Sequence, residues 1–126
     1  MKPVLVDTSV WVAHFRLPSA ELQSLLAADR VLIHPLVIGE LACGTPPQRA
    51  RTLTDLRNLA QARRASLDEV IDFIEREQLF GLGCGLIDLT LLASTLITPG
   101  AELWTLDRRL AQLAQRMAIL HVAAGH

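Results

Sequence analysis

The stretch PVLVDTSVWV, residues 3–12, decides the fold of this chain. It begins with a short apolar run of strand-forming residues, which ends abruptly at Asp7. Thr8 and Ser9 then supply hydroxyl groups that favour the start of a helix, and a second apolar segment follows them. The pattern predicts a buried strand, an acidic residue at its end and a helix directly afterwards.

The same order recurs near the other end of the chain. Residues 102–106 predict a strand, Asp107 follows it, and residues 108–117 predict a helix. In an open α/β sheet, functional sites lie outside the carboxyl ends of the strands, because the connecting loops converge there. If the two strands are neighbours, Asp7 and Asp107 face the same crevice.

Between these two units, strands and helices are predicted to alternate. Ser66 and Glu69 have the spacing of a capping box, and the glycine-rich residues 81–85 predict a tight turn. Further strands are predicted at 31–33 and 119–122, and further helices at 10–15, 19–28, 35–42, 48–64, 66–79 and 86–93. The predicted fold class is α/β, a three-layer sandwich with a small, mainly parallel sheet flanked by helices.

Length and composition exclude several classes of protein. The chain has 126 residues, so we expect a single domain over residues 1–126. No apolar run approaches the roughly 20 residues of a membrane span, and no signal-peptide cleavage site is evident. We therefore expect a soluble, cytoplasmic protein that does not associate with a membrane. The net charge of -1 excludes a strongly basic nucleic-acid scaffold. Cys43 and Cys84 are predicted to be buried free thiols.

Two further acids interrupt apolar helical segments. Glu40 lies within residues 37–42 and Asp88 within residues 86–93. Burying an unpaired carboxylate is costly, and these segments supply few basic partners. Hard divalent cations prefer oxygen ligands of this kind. We therefore expect one site for Mg²⁺ or Mn²⁺, formed by Asp7, Glu40, Asp88 and Asp107.

Such a site is suited to phosphodiester hydrolysis, because a bound divalent cation lowers the pKa of a water and stabilises the developing charge. No nucleophile motif, P-loop or dinucleotide motif competes, and the histidines are scattered at His14, His34, His121 and His126. Taken singly, Asp7 and Asp107 are equally well explained as helix caps, and Asp88 as an acid favoured by a helix dipole. The combination favours a functional site.

The sequence resembles a PIN domain of the VapC-like toxin type. The resemblance rests on residues 5–11, on Glu40 after Pro35, and on residues 85–88 and 103–110, and it covers essentially the whole chain. It implies a PIN-like fold and a metal-dependent endoribonuclease that cleaves structured RNA such as tRNA or rRNA. The four acids would then be the catalytic, metal-binding residues, and Mg²⁺ or Mn²⁺ the cofactor.

The resemblance also implies roles for neighbouring residues. Thr8, Ser9 and Thr105 would donate hydrogen bonds that orient the carboxylates. Arg108 and Arg109 stand beside Asp107 and are candidates for contacts to RNA phosphates, with an exposed helix face as the alternative.

A small cognate antitoxin is the implied protein partner, and the chain would form a homodimer or a toxin–antitoxin hetero-oligomer. We expect the antitoxin to dock on an apolar surface of the early helices around Leu22, Leu25 and Leu26.

Two other functions stay open. One is a non-catalytic PIN-like domain that binds a metal or a partner without turnover. The other is a phosphatase in which Asp7 is a covalent nucleophile. Such phosphatases usually have a second acid two residues later. This chain has Ser9 at that position, which counts against the phosphatase hypothesis.

Overall fold

A four-stranded, wholly parallel sheet forms the centre of the computed structural model, which describes residues 1–123. His126 lies outside the described residues. The strands are β1 (Val4–Val6), β2 (Val31–Ile33), β3 (Ala60–Gln61) and β4 (Glu102–Trp104). Their order across the sheet is β3-β2-β1-β4, so the two predicted strand–acid units are neighbours.

Seven helices flank the sheet within residues 1–123. They are α1 (Thr8–Arg16), α2 (Ala20–Ala27), α3 (Pro35–Ala42), α4 (Arg49–Arg57), α5 (Leu67–Glu77), α6 (Leu86–Ile97) and α7 (Arg108–Arg116). Helix α3 packs against α1 and α4, and helix α6 packs against α5, α7 and β4. The predicted three-layer α/β sandwich is confirmed.

Strand β1 is the most deeply buried strand. Its three consecutive residues have no exposed surface, and successive side chains of a strand point to opposite faces of the sheet. Both faces at β1 are therefore covered, as parallel sheets require. Burial of each such side chain stabilises the fold by about 1.5–3 kcal/mol. This burial places the end of β1, and Asp7 with it, at a defined point.

Two predicted elements are wrong in extent. The helix predicted over residues 48–64 ends at Arg57, and Ala60–Gln61 instead form the edge strand β3 beside β2. The backbone of β2 offers unpaired groups at its free edge, so pairing there outweighs continued helix. The strand predicted at 119–122 is reduced to a single parallel bridge between Leu103 and Leu120.

Several surface and core predictions are also corrected. Leu22 and Leu25 are buried in the core and Leu26 is half-buried against it, so they do not form the expected docking surface. Cys43 is exposed and Cys84 half-buried, so the thiols are free but not both buried.

Within residues 1–123, no helix is long and apolar enough to cross a membrane. The single domain over 1–126 stays a prediction.

His34 joins three elements at the carboxyl end of β2. Its Nδ1 accepts a hydrogen bond from the Leu36 backbone and caps α3, while Nε2 lies 3.3 Å from the Ser94 hydroxyl on α6. The Ser94 hydroxyl also accepts a hydrogen bond from the Ala65 backbone. Burial lowers the pKa of His34, and the charge of Arg64 lowers it further. The imidazole is therefore held neutral in the fold.

This neutral histidine predicts a loss of stability on acidification. The unfolded chain binds a proton at His34 near pH 6.5, whereas the folded chain resists it, so the free energy of unfolding falls as the pH drops below about 6.5. In His34→Asn the amide oxygen still caps α3 but does not titrate. Urea unfolding between about pH 7 and pH 5 should show a weaker pH dependence for this variant. Parallel curves for parent and variant would contradict the assignment.

Candidate active site

Asp7 lies at the end of the central strand and is only 5% exposed. It occupies the N-cap position of α1, but its side chain makes no capping hydrogen bond. Instead, Oδ2 accepts hydrogen bonds from the Ser9 hydroxyl at 2.7 Å and the Thr105 hydroxyl at 2.8 Å. Within residues 1–123, Oδ1 has no hydrogen-bond partner, so this oxygen is available to a ligand.

The two hydroxyls are themselves oriented by the loop after β4. The Leu106 backbone donates to the Ser9 hydroxyl at 3.0 Å, and the Asp107 backbone donates to the Thr105 hydroxyl at 3.0 Å. Because each hydroxyl accepts a backbone hydrogen bond, its own proton is directed to the Asp7 carboxylate. Residues from both ends of the chain thus hold one carboxylate oxygen.

Glu40 belongs to α3 and is exposed. Its Oε1 accepts a hydrogen bond of 2.7 Å from the Thr8 hydroxyl in the first turn of α1. The sequence predicted that Thr8 and Ser9 would favour the helix start by capping. The structure instead places both inside α1, with their hydroxyls directed to the acids, so the capping prediction is wrong.

Asp88 lies in the first turn of α6 and is half-buried. Burial raises the pKa of its carboxyl group, and the negative charges of Asp7, Asp107 and Glu40 raise it further, while a backbone hydrogen bond from Gly85 partly offsets them. Repulsion from three carboxylates at one position requires that they lie near it. The four predicted acids therefore lie close enough for their charges to interact at Asp88.

Asp107 is the N-cap of α7, and its Oδ1 accepts a hydrogen bond of 2.9 Å from the Leu110 backbone. The capping interpretation of this residue is correct. It does not exclude a role in the cluster, because the second oxygen has no hydrogen-bond partner among residues 1–123 and its charge acts on Asp88.

Among residues 1–123, no basic side chain forms an ion pair with the four acids. The ion pairs among residues 1–123 involve other acids, and none includes Asp7, Glu40, Asp88 or Asp107. Uncompensated carboxylates at a partly buried site fit a divalent cation, which prefers hard oxygen ligands.

The side chains of the four acids do not form a compact set of metal ligands. Within residues 1–123, no three His, Cys, Asp or Glu side chains are grouped so that they would hold an ion between them. Mg²⁺ usually keeps several of its waters and takes only one or two carboxylates directly, so a more open set is compatible with it.

Arg108 and Arg109 are both exposed in the first turn of α7. Cys84 was not among the site residues predicted from the sequence. Burial raises the pKa of its thiol, and the charges of Asp88 and Asp107 raise it further, whereas Arg109 acts in the opposite direction. Cys84 and Arg109 therefore both lie at the acidic cluster.

Comparison with known families agrees with this arrangement. The sequence model of the PIN domain matches residues 4–116, which include all four acids. The chain belongs to the PIN-domain family. Ribonuclease VapC32 of Mycobacterium tuberculosis, in strains CDC 1551 / Oshkosh and ATCC 25618 / H37Rv, is 47% identical over 107 residues. The alignment covers 85% of this chain and 86% of the relative.

A solved structure supports the fold. The crystal structure of PAE2754 from Pyrobaculum aerophilum superposes on this PIN domain with a TM-score of 0.58. The match covers 93% of this chain and 90% of the other at 20% identity, so it bears on the fold alone.

Repulsion at the cluster predicts that Asp88→Asn stabilises the metal-free protein. The folded-state pKa of Asp88 is raised above its unfolded value, so its ionisation costs stability, and the cost grows as the pH rises through and above about 4. In chelator at pH 7, Asp88→Asn should raise the Tm, and the gain should vanish on acidification.

Asp72→Asn, at an exposed position of α5, is the matched control and should leave the Tm nearly unchanged. An equal Tm shift in both variants, or no gain at Asp88, would argue against an uncompensated cluster.

Proposed function

We propose that this PIN domain is a metal-dependent endoribonuclease, the toxin of a toxin–antitoxin pair, that hydrolyses phosphodiester bonds in structured RNA such as tRNA or rRNA. The observation that carries the proposal is the group of four acids around Asp88, none of which forms an ion pair with another residue of the described range 1–123. The choice of RNA rests on the 47% identity to proteins named as ribonucleases.

In this proposal, Asp7, Glu40, Asp88 and Asp107 hold Mg²⁺ or Mn²⁺. The bound cation would lower the pKa of a water and stabilise the charge that develops on the phosphodiester. The free Oδ1 of Asp7 and the unpaired oxygen of Asp107 are ligand atoms that the hydrogen bonds of residues 1–123 leave available.

The hydroxyl groups keep these acids in position. Ser9 and Thr105 donate hydrogen bonds to Oδ2 of Asp7 and fix the orientation of its carboxylate. Thr8 restricts the Glu40 side chain, which is otherwise free to rotate on the surface of α3. A basic side chain at the start of α7, Arg108 or Arg109, contacts the RNA backbone.

The proposal predicts cleavage of RNA that depends on the acids and on the metal. Purified protein with Mg²⁺ or Mn²⁺ should cleave a pool of structured RNAs, and excess chelator should stop it. Asp7→Asn and Asp88→Asn should each reduce the rate by more than about 100-fold, since loss of residues that only support metal ligands already costs 10–100-fold. Asp72→Asn should retain the parent rate, and the products are resolved on sequencing gels.

The same samples separate the alternatives. Metal binding by calorimetry without cleavage of any RNA would favour the non-catalytic domain. A phosphoryl group trapped on Asp7 would favour the phosphatase. Cleavage that is equal in parent and variants would point to a contaminating nuclease and would leave the proposal without support.

The antitoxin partner needs a docking surface other than the buried leucines. A groove of about 380 Å³ lies between α1, α3 and residues 44–47, and Val12, Phe15 and Leu41 form part of its walls. Thr8 and Glu40 also line it, so a partner bound there would reach the acidic cluster. We assign the antitoxin to this groove. A homodimer or a hetero-oligomer with the antitoxin stays a prediction.

This assignment predicts different effects for two exposed apolar residues. Val12→Asp should weaken binding of the small protein encoded immediately upstream by at least about tenfold, because a charge replaces an apolar contact in the groove. Leu17→Asp, just after α1 and outside the groove, should bind like the parent. Calorimetric titration measures both. Equal affinities would exclude the groove, and the lack of any such upstream protein would weaken the toxin role alone.

A further inference from the structure

Arg109 lies where a helix disfavours a positive charge. It is in the first turn of α7, which contains no acidic residue, and the positive end of the helix dipole lies there. Within residues 1–123, it forms no ion pair with any carboxylate and no hydrogen bond. A residue that is unfavourable at its position in a helix and forms no ion pair or hydrogen bond there is expected at a functional site.

The Arg109 side chain lies directly over the backbone of Gly83. A Cβ atom at Gly83 would stand 2.5 Å from Nη1, 2.6 Å from Cδ and 2.9 Å from Cζ of Arg109. Gly83 also has a φ of +88°, which side chains rarely adopt. Gly81 shares the left-handed backbone, with a φ of +71°, but a Cβ there would meet nothing within 4 Å. The glycine at 83 therefore makes room for one particular side chain.

This contact holds the guanidinium beside the acids without pairing it to them. Gly83 is followed by Cys84, whose thiol lies within the influence of Asp88, Asp107 and Arg109 together. Arg108 is placed differently. It precedes the buried Leu110 by two residues, about 200° around the helix, and so lies away from the buried face.

We propose that Gly83 positions the Arg109 side chain so that its guanidinium binds a phosphate of the RNA beside the four acids. The inference rests on the proposed ribonuclease function and selects one of the two arginines that the sequence left as alternatives. Arginine suits this task because its planar fork donates two parallel hydrogen bonds to a phosphate. A cation at this point also offsets the repulsion between the acids and the approaching RNA backbone.

The test measures RNA binding apart from cleavage. All variants are made in an Asp7→Asn background, and a fluorescein-labelled RNA hairpin is titrated with Mg²⁺ present over a series of KCl concentrations. Arg109→Ala should weaken binding about tenfold and lower the slope of log K against log salt by about 0.7–0.9, the effect of one lost phosphate contact. Arg109→Lys should keep most of the salt slope, because it keeps the charge.

Gly83→Ala should weaken binding nearly as much as Arg109→Ala, and the double variant should lose no more than either change alone. Gly81→Ala is the matched control. It should lower the Tm about as much as Gly83→Ala, since both strain a left-handed backbone, yet it should bind RNA like the parent. Arg116→Ala, at the other end of α7, controls for loss of a charge.

Three results would overturn the inference. Arg109→Ala could bind RNA with the affinity of the parent, or Gly83→Ala and Gly81→Ala could bind RNA equally well. The third is that Arg108→Ala, and not Arg109→Ala, lowers the slope of log K against log salt. If the protein with native Asp7 cleaves RNA while any of these holds, only the inference fails. If neither cleavage nor RNA binding is detected, the proposed function fails with it.

Discussion

Asp7 is buried at the end of a strand that has no exposed surface, and its carboxylate needs partners that water would otherwise supply. Ser9 and Thr105 provide them, from α1 and from the residue that follows β4. Their geometry depends on β1 and β4 being paired in parallel and in register, with Val6 opposite Trp104. The hydrogen bonds at one carboxylate oxygen therefore join the central sheet to the candidate site.

The site and the fold make opposite demands on these residues. Gathering carboxylates around the half-buried Asp88 raises its pKa and costs stability in the metal-free protein. Arg109 adds a cation at the N-terminal end of α7, where the helix dipole disfavours a positive charge. Buried apolar residues of β1 and of α6 supply the opposing stabilisation. Natural proteins concentrate such conflicts at functional sites, where the ligand resolves them.

Predictions from local patterns succeeded where neighbouring residues in the sequence decided whether a helix or a strand forms. The capping box at Ser66 and Glu69 is present, and the strand–acid–helix units at Asp7 and Asp107 are formed. They failed where pairing across the chain decided the outcome. Residues 58–64 have a helical pattern, but β2 offers its free edge to Ala60–Gln61. Leu22 and Leu25 were expected at a surface, but the core covers them.

By itself, the sequence determined the α/β class and predicted that the four acids form one site, because a carboxylate after an apolar strand or inside an apolar helix is costly to bury. It also named Thr8, Ser9 and Thr105 through family resemblance. Only the tertiary structure decided which hydroxyl serves which acid, that the acids repel one another around Asp88, and that Arg109 lies over Gly83. These contacts join residues up to 98 positions apart, and no local pattern encodes the strand order that brings them together.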